Sequence, residues 1–137
     1  MNDIETFIVI SDDCPAVEGT VPPERGGKKT IARLQYDMII EAPYAYTEEE
    51  VLFMSKMRSQ GVTDEELARD REALWAGFFA KPQACMRASS LPKRFGWGVH
   101  FDKEGKVAIY PVESAEYAEL ATSGEVKVVK GMRSRRA

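Results

Sequence analysis

Residues 97–111, WGVHFDKEGKVAIYP, constrain the fold more than any other stretch. Trp97, Val99 and Phe101 alternate with Gly98, His100 and Asp102, the period-2 pattern of a strand with one buried face. Asp102-Lys103-Glu104-Gly105 is turn chemistry: Asp opens a type I turn and Gly supplies the positive φ of a bulge. A hairpin closed there sets Asp102 against Lys106, Phe101 against Val107, Val99 against Ile109 and Gly98 against Tyr110. Trp97, Val99, Phe101, Val107 and Ile109 then share a wholly apolar face, expected beneath the helices that carry Leu34, Val51 and Leu74. The other face carries two small residues, Gly98 and Ala108, beside His100 and Tyr110. The lead-in from Cys85 reads as a short strand followed by a basic loop through Ser89-Ser90-Leu91-Pro92.

The rest of the chain supplies partners for that hairpin. Residues 6–10, TFIVI, form a short apolar run ending in Ser-Asp-Asp-Cys-Pro, a buried strand with its exit turn. Residues 15–29 hold three prolines and three glycines and read as a surface loop. The Gly26-Gly27-Lys28-Lys29-Thr30 end is not a phosphate loop, because Val21 or Pro22 stands where the first glycine is required. From Thr30, Ile31, Leu34, Met38 and Ile39 recur at helical spacing until Pro43. Thr47 with Glu50 and Thr63 with Glu66 are capping boxes that open two more helices, the second reaching about Phe79 before Pro82. Ser114 caps a short helix closed by Ser123-Gly124, and Val126, Val128 and Val129 make a last strand or edge segment. This order predicts a single α+β domain over 1–137, with an antiparallel sheet built around the 97–111 hairpin and helices packed on one face. Residues 131–137 are expected to form a frayed basic tail.

Composition excludes several classes. No run approaches the roughly 20 apolar residues of a membrane span, and no basic-then-apolar start resembles a signal peptide, so a cytoplasmic, membrane-free protein is expected. Two cysteines, Cys14 and Cys85, make no disulfide framework, and they lack the close Cys pairs of a zinc site, so no metal and no cofactor is expected. The net charge of −3 argues against a dedicated nucleic-acid binder. It hides an uneven distribution, however: no acid lies between Glu72 and Asp102, an interval that holds Lys81, Arg87, Lys93 and Arg94.

Several blocks carry a resemblance across nearly the whole chain. They are Asp12-Asp13-Cys14-Pro15, Lys28-Lys29-Thr30, Gln35-Tyr36 with Met38, Pro43-Tyr44, Tyr46-Thr47, Cys85-Met86-Arg87-Ala88-Ser89 and, most specifically, residues 93–100, KRFGWGVH. In these the chain resembles a family of small bacterial proteins catalogued only as a domain of unknown function. The resemblance implies a free-standing bacterial protein of one domain and brings no activity, cofactor or site residue.

Candidate site residues therefore come from residue chemistry. Arg87, Lys93 and Arg94 are expected to form an electropositive rim, with Trp97, His100 and Tyr110 nearby, that binds an anionic small molecule such as a nucleotide or phosphorylated metabolite. The floor of Gly98 and Ala108 admits either a ligand or, by preference, a packing helix, with a carboxylate satisfying His100. An enzyme built on a Cys14 or Cys85 pair with His100, oriented by Asp12 or Asp13, is an alternative, as is a nucleic-acid module using the basic residues interleaved with Phe95 and Trp97 plus the basic tail, or a protein-interaction module. No reaction class and no oligomeric state follows from the sequence.

Overall fold

The strand nearest the N-terminus, β1 (Thr6–Val9), lies inside the sheet rather than at its edge. The computed structural model describes residues 3–134. After β1 come a two-stranded hairpin of β2 (Glu24–Arg25) and β3 (Lys28–Lys29), then α1 (Ile31–Glu41), α2 (Glu48–Ser59) and α3 (Asp64–Phe79). A 3-10 turn (Met86–Ala88), α4 (Ser90–Arg94), β4 (Trp97–Phe101), β5 (Val107–Pro111), α5 (Ala115–Thr122) and β6 (Lys127–Lys130) complete the α+β fold. The main sheet has the order β5-β4-β1-β6.

The hairpin forms in the register that its turn dictates. Gly98 pairs with Tyr110, Val99 with Ile109, His100 with Ala108 and Phe101 with Val107. Asp102 Oδ1 accepts the N–H groups of Glu104 and Lys106, which ties the turn, and Gly105 takes φ +77°. Trp97, Val99, Phe101, Val107 and Ile109 are buried together with Ile8, Met38, Ile39, Val51, Met86 and Leu91. Leu74, expected above this face, instead joins Phe53, Met57 and Leu67 in a second cluster between α2 and α3.

The sheet departs from the expected one in two respects. It is mixed, because β6 runs parallel to β1, with Thr6 opposite Lys127 and Val9 opposite Lys130. Helices also cover both faces: the cluster with Met38, Val51 and Leu91 lies on one, and α5 lies on the other, with Tyr117 edge-on to Phe7 at 5.1 Å.

Local chemistry explains the helix ends. Thr30, Thr47, Thr63 and Ser114 each cap a helix through a side-chain oxygen, and both capping boxes close. Residues 85–94 correct the strand-and-loop expectation. Ser89 accepts the Leu91 N–H and starts α4, and Pro92 sits in the first helical turn, where its missing N–H costs no bond. Residues 15–29 are a loop only in part: Gly26 (φ +59°) and Gly27 (φ +75°) make the two-residue turn of the β2–β3 hairpin. Of the expected frayed tail, Gly131 donates its N–H to the Val9 carbonyl, Met132 to that of Arg87 and Ser134 to the Asp13 carboxylate. Residues 135–137 lie outside the described residues.

Candidate functional site

The six expected site residues fall in three places. Trp97 faces the core: its Nε1 donates to the Thr20 carbonyl at 2.8 Å, and its ring meets Tyr36 edge-on at 5.3 Å. Arg87, Lys93 and Arg94 lie where β1 and β6 end. There the Ser11 N–H bonds the Pro92 carbonyl, and Arg87 Nε donates to the Lys130 carbonyl at 2.8 Å. His100 and Tyr110 lie on the sheet face away from the main core.

Asp12 and Asp13, which follow β1, are engaged by groups other than the rim cations. Asp12 pairs with Lys130 at 3.0 Å, and Asp13 receives the Ser134 N–H and lies 3.1 Å from the Ser11 hydroxyl. Among the described residues no ion pair holds Lys93 or Arg94. The Ser89 hydroxyl is not presented outward, since it donates to buried Gln35 at 2.7 Å.

On the His100 face the small-residue floor is filled. A methyl group added at Gly98 would collide with the Phe7 ring and lie 2.7 Å from Tyr117, so Gly98 makes room for Phe7 and α5. The partner of His100 is Tyr44 and not the expected carboxylate. Tyr44 Oη lies 2.8 Å from both His100 Nδ1 and Tyr110 Oη. Its backbone sits at φ +59°, a conformation few side-chain-bearing residues adopt, and its N–H bonds the Val107 carbonyl at 2.9 Å. Burial lowers the His100 pKa, so the ring is neutral at neutral pH. Burial, reinforced by the Tyr110 hydrogen bond, raises that of Tyr44. Among the described residues no hydrogen bond joins a cysteine thiol to the His100 ring, whose partner is the Tyr44 hydroxyl.

A second group escaped the sequence reading. The Glu48 side chain is wholly buried at the first turn of α2, accepting the Met86 N–H at 2.8 Å and the Asp3 N–H at 3.3 Å. Burial pushes its pKa up to about 7 against the opposing pull of those N–H donors. The Thr47–Glu50 capping box pointed to the helix start, but an acid in that turn reads as a partner for the helix dipole, and nothing local marks its burial.

Two concave spaces flank the C-terminal end of α2. One, of about 340 Å³, is lined by Lys28, Lys29 and Arg58 together with Ser59 and Gln60 and no carboxylate. Lys29 bonds Asp37 at 2.6 Å, Arg58 stands 3.6 Å from Asp64, and no ion pair holds Lys28 among the described residues. The other, of about 370 Å³, is a groove between α2 and α3 over Met57, Val62, Leu74 and Phe78, flanked by Lys56 and Lys81. Gln60 lines both. Among the described residues, no group of three or more His, Cys, Asp or Glu side chains is arranged to hold a metal ion. No helix is long and apolar enough to cross a membrane.

No curated protein and no solved structure matches the chain. One family model does match, over residues 1–137, and the chain belongs to that family, DUF6157, a family of unknown function.

Proposed function

We propose that this protein binds an anionic small molecule, a nucleotide or phosphorylated metabolite, in the basic cavity at the end of α2. One observation carries the reading: the cavity collects Lys28, Lys29 and Arg58 around a space whose lining holds no carboxylate. Two acids pair with its lining. Asp64 is largely exposed, so water screens its hold on Arg58, and Asp37 is shared between Lys29 and Arg33. Arg58 can present two parallel N–H donors to a phosphate, while Lys28 and Lys29 act as point charges. A hydrogen bond to a charged group is worth roughly 1.5–3 kcal/mol, so loss of Arg58 is expected to weaken binding about tenfold or more.

The competing location is the rim of Arg87, Lys93 and Arg94, whose last two cations carry no ion pair among the described residues. The thiol-enzyme alternative has less behind it, because a tyrosine rather than a cysteine meets the His100 ring. Two half-buried free thiols and a phosphorylated ligand both suit the bacterial cytoplasm, where we place the protein.

Melting temperature measured with pyrophosphate, nucleotides and sugar phosphates tests the reading. The parent and Lys93→Ala/Arg94→Ala should both be stabilised, the effect shrinking as salt rises, and Lys28→Gln/Arg58→Gln should not. If only the Lys93/Arg94 variant loses the effect, the anion sits at the rim. If no anion stabilises the parent, the function falls.

A further inference from the structure

The groove between α2 and α3 has an apolar floor and polar side chains with nothing to bind. Val62, Leu74 and Phe78 keep part of their surface in water, and Met57 lies beneath them. Lys56 and Lys81 border this floor, and among the described residues neither enters an ion pair or a side-chain hydrogen bond. The Gln60 amide is equally unengaged there, whereas Gln83 donates its Nε2 to the Phe78 carbonyl at 2.8 Å. No carboxylate lines the groove, in a chain whose 22 acids outnumber its 19 lysines and arginines. Gly77 keeps the space open. It stands inside α3, where glycine is less favourable than alanine, with no positive φ, and an added methyl group would meet no atom within 4 Å.

We infer that this groove is a binding site for an amphiphilic carboxylate, a small fatty or aromatic acid. Its volume of about 370 Å³ lies within the roughly 300–1,000 Å³ of small-molecule sites, and its apolar lining with a few polar groups is of the same kind. The body of such an acid covers the half-exposed floor and removes that surface from water. Its head meets two ammonium point charges and the Gln60 amide. A neutral amphiphile forgoes those charges, and a cationic one is repelled by them. A carboxylate is favoured over a phosphate because no arginine lines the groove to clamp a phosphate with two parallel bonds. The inference does not rest on the basic cavity, with which the groove shares Gln60 alone among its lining residues.

Amide spectra of the labelled protein are titrated with octanoate, 1-octanol and acetate. The parent is expected to bind octanoate about fivefold or more tightly than 1-octanol, with shifts at Met57, Val62 and Gly77, and acetate at the same concentrations should leave these amides unmoved. Gly77→Leu puts a side chain into open space on a helical backbone, so it should melt at or above the parent and bind octanoate about tenfold more weakly. Lys56→Gln/Lys81→Gln, altered only at exposed side chains, should bring octanoate down to the affinity of 1-octanol and leave 1-octanol unchanged. Lys28→Gln/Arg58→Gln should bind octanoate as the parent does, which separates this site from the basic cavity. Should Gly77→Leu melt below the parent, the Lys56/Lys81 variant decides. The inference is overturned if octanoate does not bind, binds no better than 1-octanol, keeps its affinity in the Lys56/Lys81 variant or loses it in the Lys28/Arg58 variant.

Discussion

Glu48 is a carboxyl group placed wholly out of water with two N–H donors and, among the described residues, no lysine or arginine paired to it. Its rise from the ordinary 4.5 to about 7 corresponds to roughly 3 kcal/mol of difference between its protonated and ionised forms. Between those two values the folded protein holds the proton more tightly than the unfolded chain does. This contribution is therefore complete below about pH 4.5 and is lost as pH rises through 7. His100 acts in the opposite sense, since burial lowers its pKa and its contribution fades on acidification. Glu48→Gln keeps the shape without the titration. Denaturant unfolding from pH 5 to 8 should show the parent losing roughly 2–3 kcal/mol relative to the variant, with His100 cancelling in the comparison. Parallel curves would mean that Glu48 is ionised throughout. The residue scale is also where legibility was poorest. Glu48 and Tyr44 matter through Met86, His100 and Tyr110, partners 38 to 66 positions away, and no local pattern encodes such a meeting.

Elements were more legible because their signals are local. Thr47 with Glu50 and Thr63 with Glu66 announce two helix starts four residues at a time, and both boxes close. Asp102 and Gly105 determine a hairpin register in the same way. The failures came where a residue has two local meanings. Pro92 reads as a loop residue, yet it fits the first turn of α4 once Ser89 caps it. Gly26-Gly27 reads as loop composition and is a hairpin turn. The basic cluster expected from the sequence shows the same limit: Lys93 and Arg94 read as loop residues and lie on α4, whereas Lys28, Lys29 and Arg58 line one cavity only through tertiary packing. Among the three long helices α1, α2 and α3, the last is the least secured. It buries Leu67 fully, shares the second cluster with α2 and bends at Asp70, where φ is −113° and ψ +16°. Its backbone amides should exchange with deuterium at least tenfold faster than those of α1 and β4, and Thr63→Ala, which removes a cap worth about 1 kcal/mol, should speed them further. Protection in α3 equal to that in β4 would show that it opens only with the whole molecule.

At the scale of the molecule the sheet is closed by its last strand. β6 covers one edge of β1 from Thr6 to Val9, and the ladder extends through Lys127 N–H to the Glu5 carbonyl and Gly131 N–H to that of Val9. A chain ending at Gly124 leaves those carbonyls and the Ile8 strand edge unpaired. Its unfolding should be destabilised by roughly 3–5 kcal/mol, counting about 1 kcal/mol per lost bond, and a circular-dichroism melt would register it. A truncated chain that melts with the parent would show that β6 contributes little. The parallel pairing that makes this strand important was invisible beforehand, because Val126, Val128 and Val129 specify a strand but not its direction.

The central place of β1 also has a consequence for synthesis. Both strands that flank it, β4 and β6, lie about ninety or more residues downstream. At a translation rate of about 5–20 residues per second, the apolar TFIVI segment leaves the ribosome roughly 5–20 s before any sheet partner exists. Throughout that interval it is a naked β-strand whose only available mates are other chains, which makes residues 6–10 the natural holding point for a chaperone.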